Sequence, residues 1–193
     1  MPRRFKAGHH KAQYVLNHQL GTYHPTAQLL MENVVAKRLN KLARQNNLYD
    51  ENANSAYCFA VEQLPYELTQ KQTEAVITCL DNRVSCITGG AGTGKTTVLR
   101  TALRAYHHLG YEIHAVALSG RAAMRLHESI GFVTSTIAKL LRDAPIEPSN
   151  EQPKHLVIDE ASMIDLPTMY RLVNHHHPEV RIIFTGTLTN YHQ

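Results

Sequence analysis

The sequence predicts an α/β fold: a parallel sheet with helices on both faces, preceded by a small, mostly helical N-terminal region. Three observations predict it. From residue 68 onward, short apolar runs rich in β-branched residues alternate with amphipathic helical stretches. A glycine-rich loop joins the first run, residues 84–88, to the helix that follows. A later run, residues 155–158, ends in the adjacent carboxylates Asp159 and Glu160. Open parallel sheets bind ligands at the carboxyl ends of their strands, where both features fall.

At 193 residues the chain has room for one ordinary domain and an appendage. It is 43% hydrophobic and 19% charged, a globular composition rather than a disordered one. The formal net charge of +4 suits a nucleic-acid partner without requiring one. Cys58, Cys79 and Cys86 form no C-x-x-C pair and read as reduced core thiols. Residues 1–6 are basic but lack the apolar stretch of a signal peptide. No segment approaches the roughly 18 apolar residues of a membrane helix. A cytoplasmic protein with no membrane partner is the expectation.

Residues 1–24 are basic and His-rich, with a weak apolar pattern at Tyr14, Val15, Leu16 and Leu20 that suits a short helix or an arm. His9 and His10 read as a solvated pair. Residues 25–48 read as a helix, because Leu29, Leu30, Val34, Val35, Leu39, Leu42 and Ala43 recur near helical spacing. Lys37, Arg38, Lys41 and Arg44 give it a basic face, either solvated or in contact with phosphates. Residues 45–55 read as a loop, residues 57–61 as a strand, and Pro65 as the mark of a linker. The boundary between the N-terminal region, 1–66, and the sheet domain, 67–193, is placed there.

Thr69 is a good N-cap for the helix that opens the second unit, continued by Ala75, Val76, Ile77 and Leu80. After strand 84–88 comes a helix over 95–109, stopped by Gly110. Strand 113–118 leads into a helix over 120–129, stopped by Gly131, and a short helix over 135–141. A polar, Pro-containing loop covers 145–153. Strand 155–158, helix 167–174 and strand 180–184 follow.

The loop Gly89-Gly90-Ala91-Gly92-Thr93-Gly94-Lys95-Thr96-Thr97 has the form G-x-x-x-x-G-K-T, a Walker A phosphate cradle. Glycines let backbone N–H groups converge on phosphate oxygens, and the helix N-terminus adds its own. Lys95 suits the β and γ phosphates, and the Thr96 hydroxyl suits Mg²⁺. A chance glycine-rich turn is the alternative, and the strand–loop–helix setting argues against it. Asp159 and Glu160 form a Walker B pattern. Asp159 suits Mg²⁺, directly or through water; Glu160 suits the orientation and deprotonation of an attacking water. His175, His176 and His177 point in different directions from a helix end and read as a solvated cluster. Tyr106, Tyr111 and Tyr170 read as packing residues.

Taken with residues 117–123, Thr134-Ser135-Thr136-Ile137 and Asp159-Glu160-Ala161-Ser162-Met163, these motifs resemble the RecD-like superfamily 1 DNA helicases. Leu68-Thr69-x-x-Gln72 is similar to that group's adenine-reading Q motif. The resemblance implies a RecA-like P-loop NTPase lobe that uses ATP and Mg²⁺. It implies Gln72 at the adenine edge, and Lys95, Asp159 and Glu160 in the chemistry. It implies Ser119, Gly120, Arg121 and Thr136 at the backbone of single-stranded DNA, contacts that carry affinity rather than sequence preference. Leu118 and Ser119 depart from the group's Pro-Thr, and Ala138 from its histidine. Thr187 and Asn190 stand where an acid and a glutamine would sense the γ-phosphate. Such motors have two lobes, and this chain is expected to hold the first. Alone it is expected to bind ATP, hydrolyse it slowly and leave DNA wound, unless a partner chain supplies the second lobe. The alternative is a nucleotide-dependent module that binds DNA or a partner without productive turnover.

Overall fold

The computed structural model describes residues 14–17, 21–45, 52–148 and 152–187. The expectations for His9, His10, Leu20 and Asn190 lie outside these residues.

The chain enters as an antiparallel hairpin, β1 (Tyr14–Asn17) and β2 (Thr22–Pro25), paired from Tyr14↔Pro25 to Asn17↔Thr22. This corrects the helix-or-arm expectation for its described part. Gly21, at φ 63°, supplies the left-handed residue of the turn. Helix α1 (Thr26–Ala43) follows, then α2 (Ala53–Glu62). The second helix corrects the strand expected at 57–61. Tyr57, Phe59 and Val61 have strand-like side chains, but Ala53, Ala56 and Ala60 recur at helical spacing and all three are buried. Small residues at that spacing let α2 lie close against its neighbour.

The sheet unit runs α3 (Gln70–Asp81), β3 (Val84–Thr88), α4 (Lys95–His108), β4 (Glu112–Ala117), α5 (Gly120–Ile130), β5 (Thr134–Thr136), α6 (Ile137–Leu140), β6 (Lys154–Ile158), a 3-10 turn (Ala161–Met163), α7 (Leu166–His175) and β7 (Arg181–Gly186). Its five strands are parallel in the order β3-β7-β6-β4-β5. Side chains alternate between two cores. Ala115, Ala117, Val157 and Ile183 face α2, α3, α4 and α5. Val116, Leu156, Ile158 and Ile182 face α1, α6 and α7. Burial on both faces explains why these strands read as unbroken apolar runs.

Two further expectations change. The helix expected over 135–141 begins instead as β5, because residues 134–136 pair with residues 115–117 of β4. Of the cysteines, Cys79 alone is buried, and burial pushes its thiol up to about 12. Cys86 lies on β3, an edge strand, and is exposed, as is Cys58.

At the amino ends of β6 and β7, the opposite end of the strands from the glycine-rich loop, lies a buried polar cluster. Arg181 donates to the carbonyl of Leu80 (3.0 Å) and to the Tyr106 hydroxyl (3.3 Å), which donates to the carbonyl of Cys79 (2.5 Å). His155 packs against the Tyr106 ring at 4.2 Å between centroids. Burial, helped by the charge of Arg181, lowers its pKa from 6.5 to about 3. The folded chain therefore refuses a proton that the unfolded chain accepts below about pH 6.5. Stability is full above that pH and falls as pH drops toward 3. His155→Phe keeps a ring against Tyr106 and is expected to flatten the decline of Tm between pH 7 and 5. A decline as steep as that of the parent chain, in thermal melts across this range, would show that His155 is not its source.

Candidate functional site

The glycine-rich loop leaves the carboxyl end of β3 and turns directly into α4. Gly92 and Gly94 take left-handed φ values of 74° and 84°. A Cβ on Gly94 would also displace the Gln72 side-chain amide, but it is the left-handed φ that makes this a glycine position. Gly94 is the N-cap of α4 and, lacking a side chain, offers no cap bond. The starts of α3, α5, α6 and α7 are closed by Thr69, Ser119, Thr136 and Asp165. The first N–H groups of α4 therefore remain available to an anion, at the positive end of the helix dipole. Lys95 Nζ donates to the carbonyls of Gly89 (2.6 Å) and Gly90 (2.8 Å). These neutral acceptors hold the ammonium in place, and phosphate oxygens are stronger ones.

Gln72 joins this loop to α3. Its Oε1 accepts from the backbone N–H of Thr69 (3.0 Å), completing a capping box, while its Nε2 donates to the carbonyl of Thr93 (3.3 Å). Its amide is thus placed beside the loop by local helix-capping. Tyr66 adds a second tie, its hydroxyl 3.1 Å from Thr97 Oγ1.

Strand β6 delivers the two acids. Asp159 Oδ1 accepts from Thr185 Oγ1 at 2.5 Å, across to the neighbouring strand β7. Glu160 sits at φ 49°, the one left-handed non-glycine residue among those described. Such a conformation costs about 1–3 kcal/mol and is found where a side chain must be aimed. Lys95, Thr96, Asp159, Glu160 and Thr185 line a single cavity of about 240 Å³. The structure thus brings together the four residues expected to handle phosphate, metal and water. The Thr96 hydroxyl and the Asp159 carboxylate are hard oxygen donors, a fit for Mg²⁺ that keeps waters and phosphate as its other ligands. Thr185 was missed because the strand was expected to end at residue 184. Its signal was a hydroxyl directly after the apolar Ile182-Ile183-Phe184.

The residues matched to DNA-contacting segments lie on the other half of the same sheet edge. Ser119 leaves β4, and its Oγ accepts from the N–H of Ala122 (3.2 Å). Thr136 ends β5, and its Oγ1 accepts from the N–H of Lys139 (3.1 Å). Gly120 and Thr136 line a groove of about 490 Å³ with Met124, His127, Val133 and Lys139. Arg121 is exposed on the first turn of α5. Both hydroxyls also cap helices, a structural task the motif alone does not reveal. Tyr106 is buried, with Tyr111 edge-on at 5.0 Å, and Tyr170 is half-buried on α7. His176 is buried beyond the end of α7, while His177 is exposed.

Comparison with known proteins gives a consistent picture. A family described as AAA domain matches residues 67–189. The chain is 36% identical over 151 residues to the RecBCD enzyme subunit RecD of Haemophilus influenzae, covering 62% of this chain and 24% of that protein. It is 31% identical over 126 residues to the ATP-dependent RecD2 DNA helicase of Deinococcus radiodurans, covering 62% of this chain and 17% of that protein. It thus spans a quarter or less of these relatives. Among solved structures, the UvsW helicase from bacteriophage T4 shares the fold, with a TM-score of 0.57 at 13% identity, over 73% of this chain and 62% of that one. No helix among the described residues is long and apolar enough to cross a membrane.

Thr185→Val removes a hydroxyl that donates to a charged carboxylate. Hydrogen bonds to charged groups contribute about 1.5–3 kcal/mol, roughly tenfold or more in an equilibrium. The Mg²⁺ concentration for half-maximal nucleotide binding is expected to rise about tenfold in a metal titration. An unchanged requirement would show that Thr185 does not hold Asp159 for the metal.

Proposed function

Since the chain belongs to the AAA domain family and carries a helicase-type NTPase module, we propose that it binds ATP–Mg²⁺ and hydrolyses it as the first motor lobe of a RecD-like DNA helicase. One observation carries this reading: the cavity in which Lys95, Thr96, Asp159 and Glu160 meet. Lys95 exchanges the carbonyls of Gly89 and Gly90 for β- and γ-phosphate oxygens. The loop N–H groups and the uncapped start of α4 hold the remaining phosphate charge. Thr96 and Asp159 would hold Mg²⁺, which would supply positive charge against the phosphates, and Thr185 fixes Asp159. Glu160 takes the proton of a water as its oxygen bonds to the γ-phosphorus. The bond from that phosphorus to the bridging oxygen breaks, and its electron pair leaves with ADP. Gln72 turns its amide from Thr93 toward the adenine edge.

On this reading residues 67–193 form the motor lobe, and residues 1–66, which include the β1–β2 hairpin and helices α1 and α2, lead into it. Ser119, Gly120, Arg121 and Thr136 touch the backbone of single-stranded DNA, in the cytoplasm, and a partner chain supplies the second lobe. A second reading, a nucleotide-dependent binding module without productive turnover, is favoured by Thr187, where related motors carry an acid.

Steady-state ATP hydrolysis with and without single-stranded DNA tests the proposal. DNA is expected to raise turnover. ATP binding without DNA-stimulated turnover would favour the second reading. Lys95→Ala is expected to abolish ATP binding or weaken it greatly. Glu160→Gln is expected to leave ATP binding intact and lower turnover by about a hundredfold; turnover surviving in that variant would remove Glu160 as the base. Binding to single-stranded DNA is expected to weaken steeply with salt, and Arg121→Ala to reduce the slope by about 0.7 in log–log units. An unchanged slope in fluorescence titrations would show that Arg121 makes no phosphate contact.

A further inference from the structure

Arg125 belongs to none of the roles assigned above, yet its side chain lines the cavity that holds Lys95, Thr96, Asp159 and Glu160. It reaches this position through helix periodicity. Ala122, Arg125, Leu126 and Ser129 stand at i, i+3, i+4 and i+7, and all four line the cavity. This face of α5 is fixed rather than free to drift. Leu126 is buried in the core, and Arg100 of α4 donates through Nε to the carbonyl of Ser129 at 2.6 Å. Ser129 Oγ in turn donates to the carbonyl of Arg125 at 2.6 Å. Arg125 therefore projects from a backbone pinned to the helix that begins at Lys95.

Arg125 is exposed, and none of the ion pairs among the described residues includes it. Asp159 and Glu160 line the same cavity without pairing with it, and Asp159 is instead engaged by Thr185. A cavity thus presents two cations from different helices, Lys95 held by carbonyls and Arg125 free of any carboxylate. A guanidinium offers parallel N–H donors that match two oxygens of one phosphoryl group.

We propose that Arg125 is a second phosphate-binding cation built into this lobe, and that it contacts the γ-phosphate of bound ATP. The proposal rests on the cavity being the nucleotide site. It adds a means by which the lobe distinguishes a triphosphate from a diphosphate through its own residues. Lys95 sits at the loop, where both nucleotides place phosphates. Arg125 comes from α5, the helix that follows β4, and β4 lies beside β6 with its two acids, so it enters the cavity from a different element than the loop.

The test is a titration with Mg²⁺–ADP and with a Mg²⁺-bound, non-hydrolysable ATP analogue. It uses the full chain, Arg125→Ala, Arg125→Lys and, as control, Lys95→Ala. Arg125→Ala is expected to weaken the triphosphate analogue about tenfold or more while leaving ADP within about twofold. Arg125→Lys is expected to recover part of the loss, because an ammonium keeps the charge but not the fork. Thermal midpoints of both Arg125 variants are expected to match the parent, since the side chain is exposed. Equal losses for ADP and the analogue, or no loss for either, would overturn the γ-phosphate contact. Undiminished binding of both nucleotides by Lys95→Ala would instead overturn the nucleotide site itself.

Discussion

All five strands of the central sheet point the same way, and the chemistry of the molecule depends on that constraint. Parallel pairing forces every carboxyl end onto one edge. The loop after β3, the cap after β4, the cap after β5 and the acids after β6 therefore emerge side by side, although they are up to 70 residues apart in sequence (Gly89 to Asp159). The same constraint requires helices on both faces, because each connection must return across the sheet. The two apolar cores, one on each side, hold the edge rigid while its loops carry polar groups.

Within that edge, the groups that would meet a ligand are held in bonds they can exchange. Lys95 rests on two neutral carbonyls, Gln72 on a third, and α4 begins without a side-chain cap. Glu160 is kept in a left-handed conformation that the surrounding strand and turn must sustain. The helices elsewhere in the sheet unit are capped by their own side chains, and Asp159 is fixed by a direct hydrogen bond. Local rules are broken where ligand contacts would restore them and obeyed where stability is needed.

The parts of the fold that repeat a period were readable from the residues. Strand β3 appears over the span expected, because its β-branched run is bounded by Arg83 on one side and the glycines on the other. Helix α2 is masked in the sequence because Tyr57, Phe59 and Val61 carry strand-like side chains, and the alanines that decide its burial are weak signals. Strand β5 is three residues long and exists through its pairing with β4, which no local pattern announces. The exposure of Cys86 follows from the edge position of β3, a matter of strand order rather than of sequence around the cysteine. In the cavity, the four motif residues could be named from spacing. The hydroxyl of Thr185 was visible after its apolar run, but not that its strand lies beside β6, and Arg125 could not be named at all, since it depends on how α5 is rotated against α4.

We infer that this cavity receives a nucleotide with its metal. Calorimetric titration of the chain with ATP, in the presence and absence of Mg²⁺, tests it most directly. One site per chain is expected, with tighter binding when Mg²⁺ is present, because Thr96 and Asp159 would hold the metal. No saturable binding, or an affinity indifferent to Mg²⁺, would contradict it.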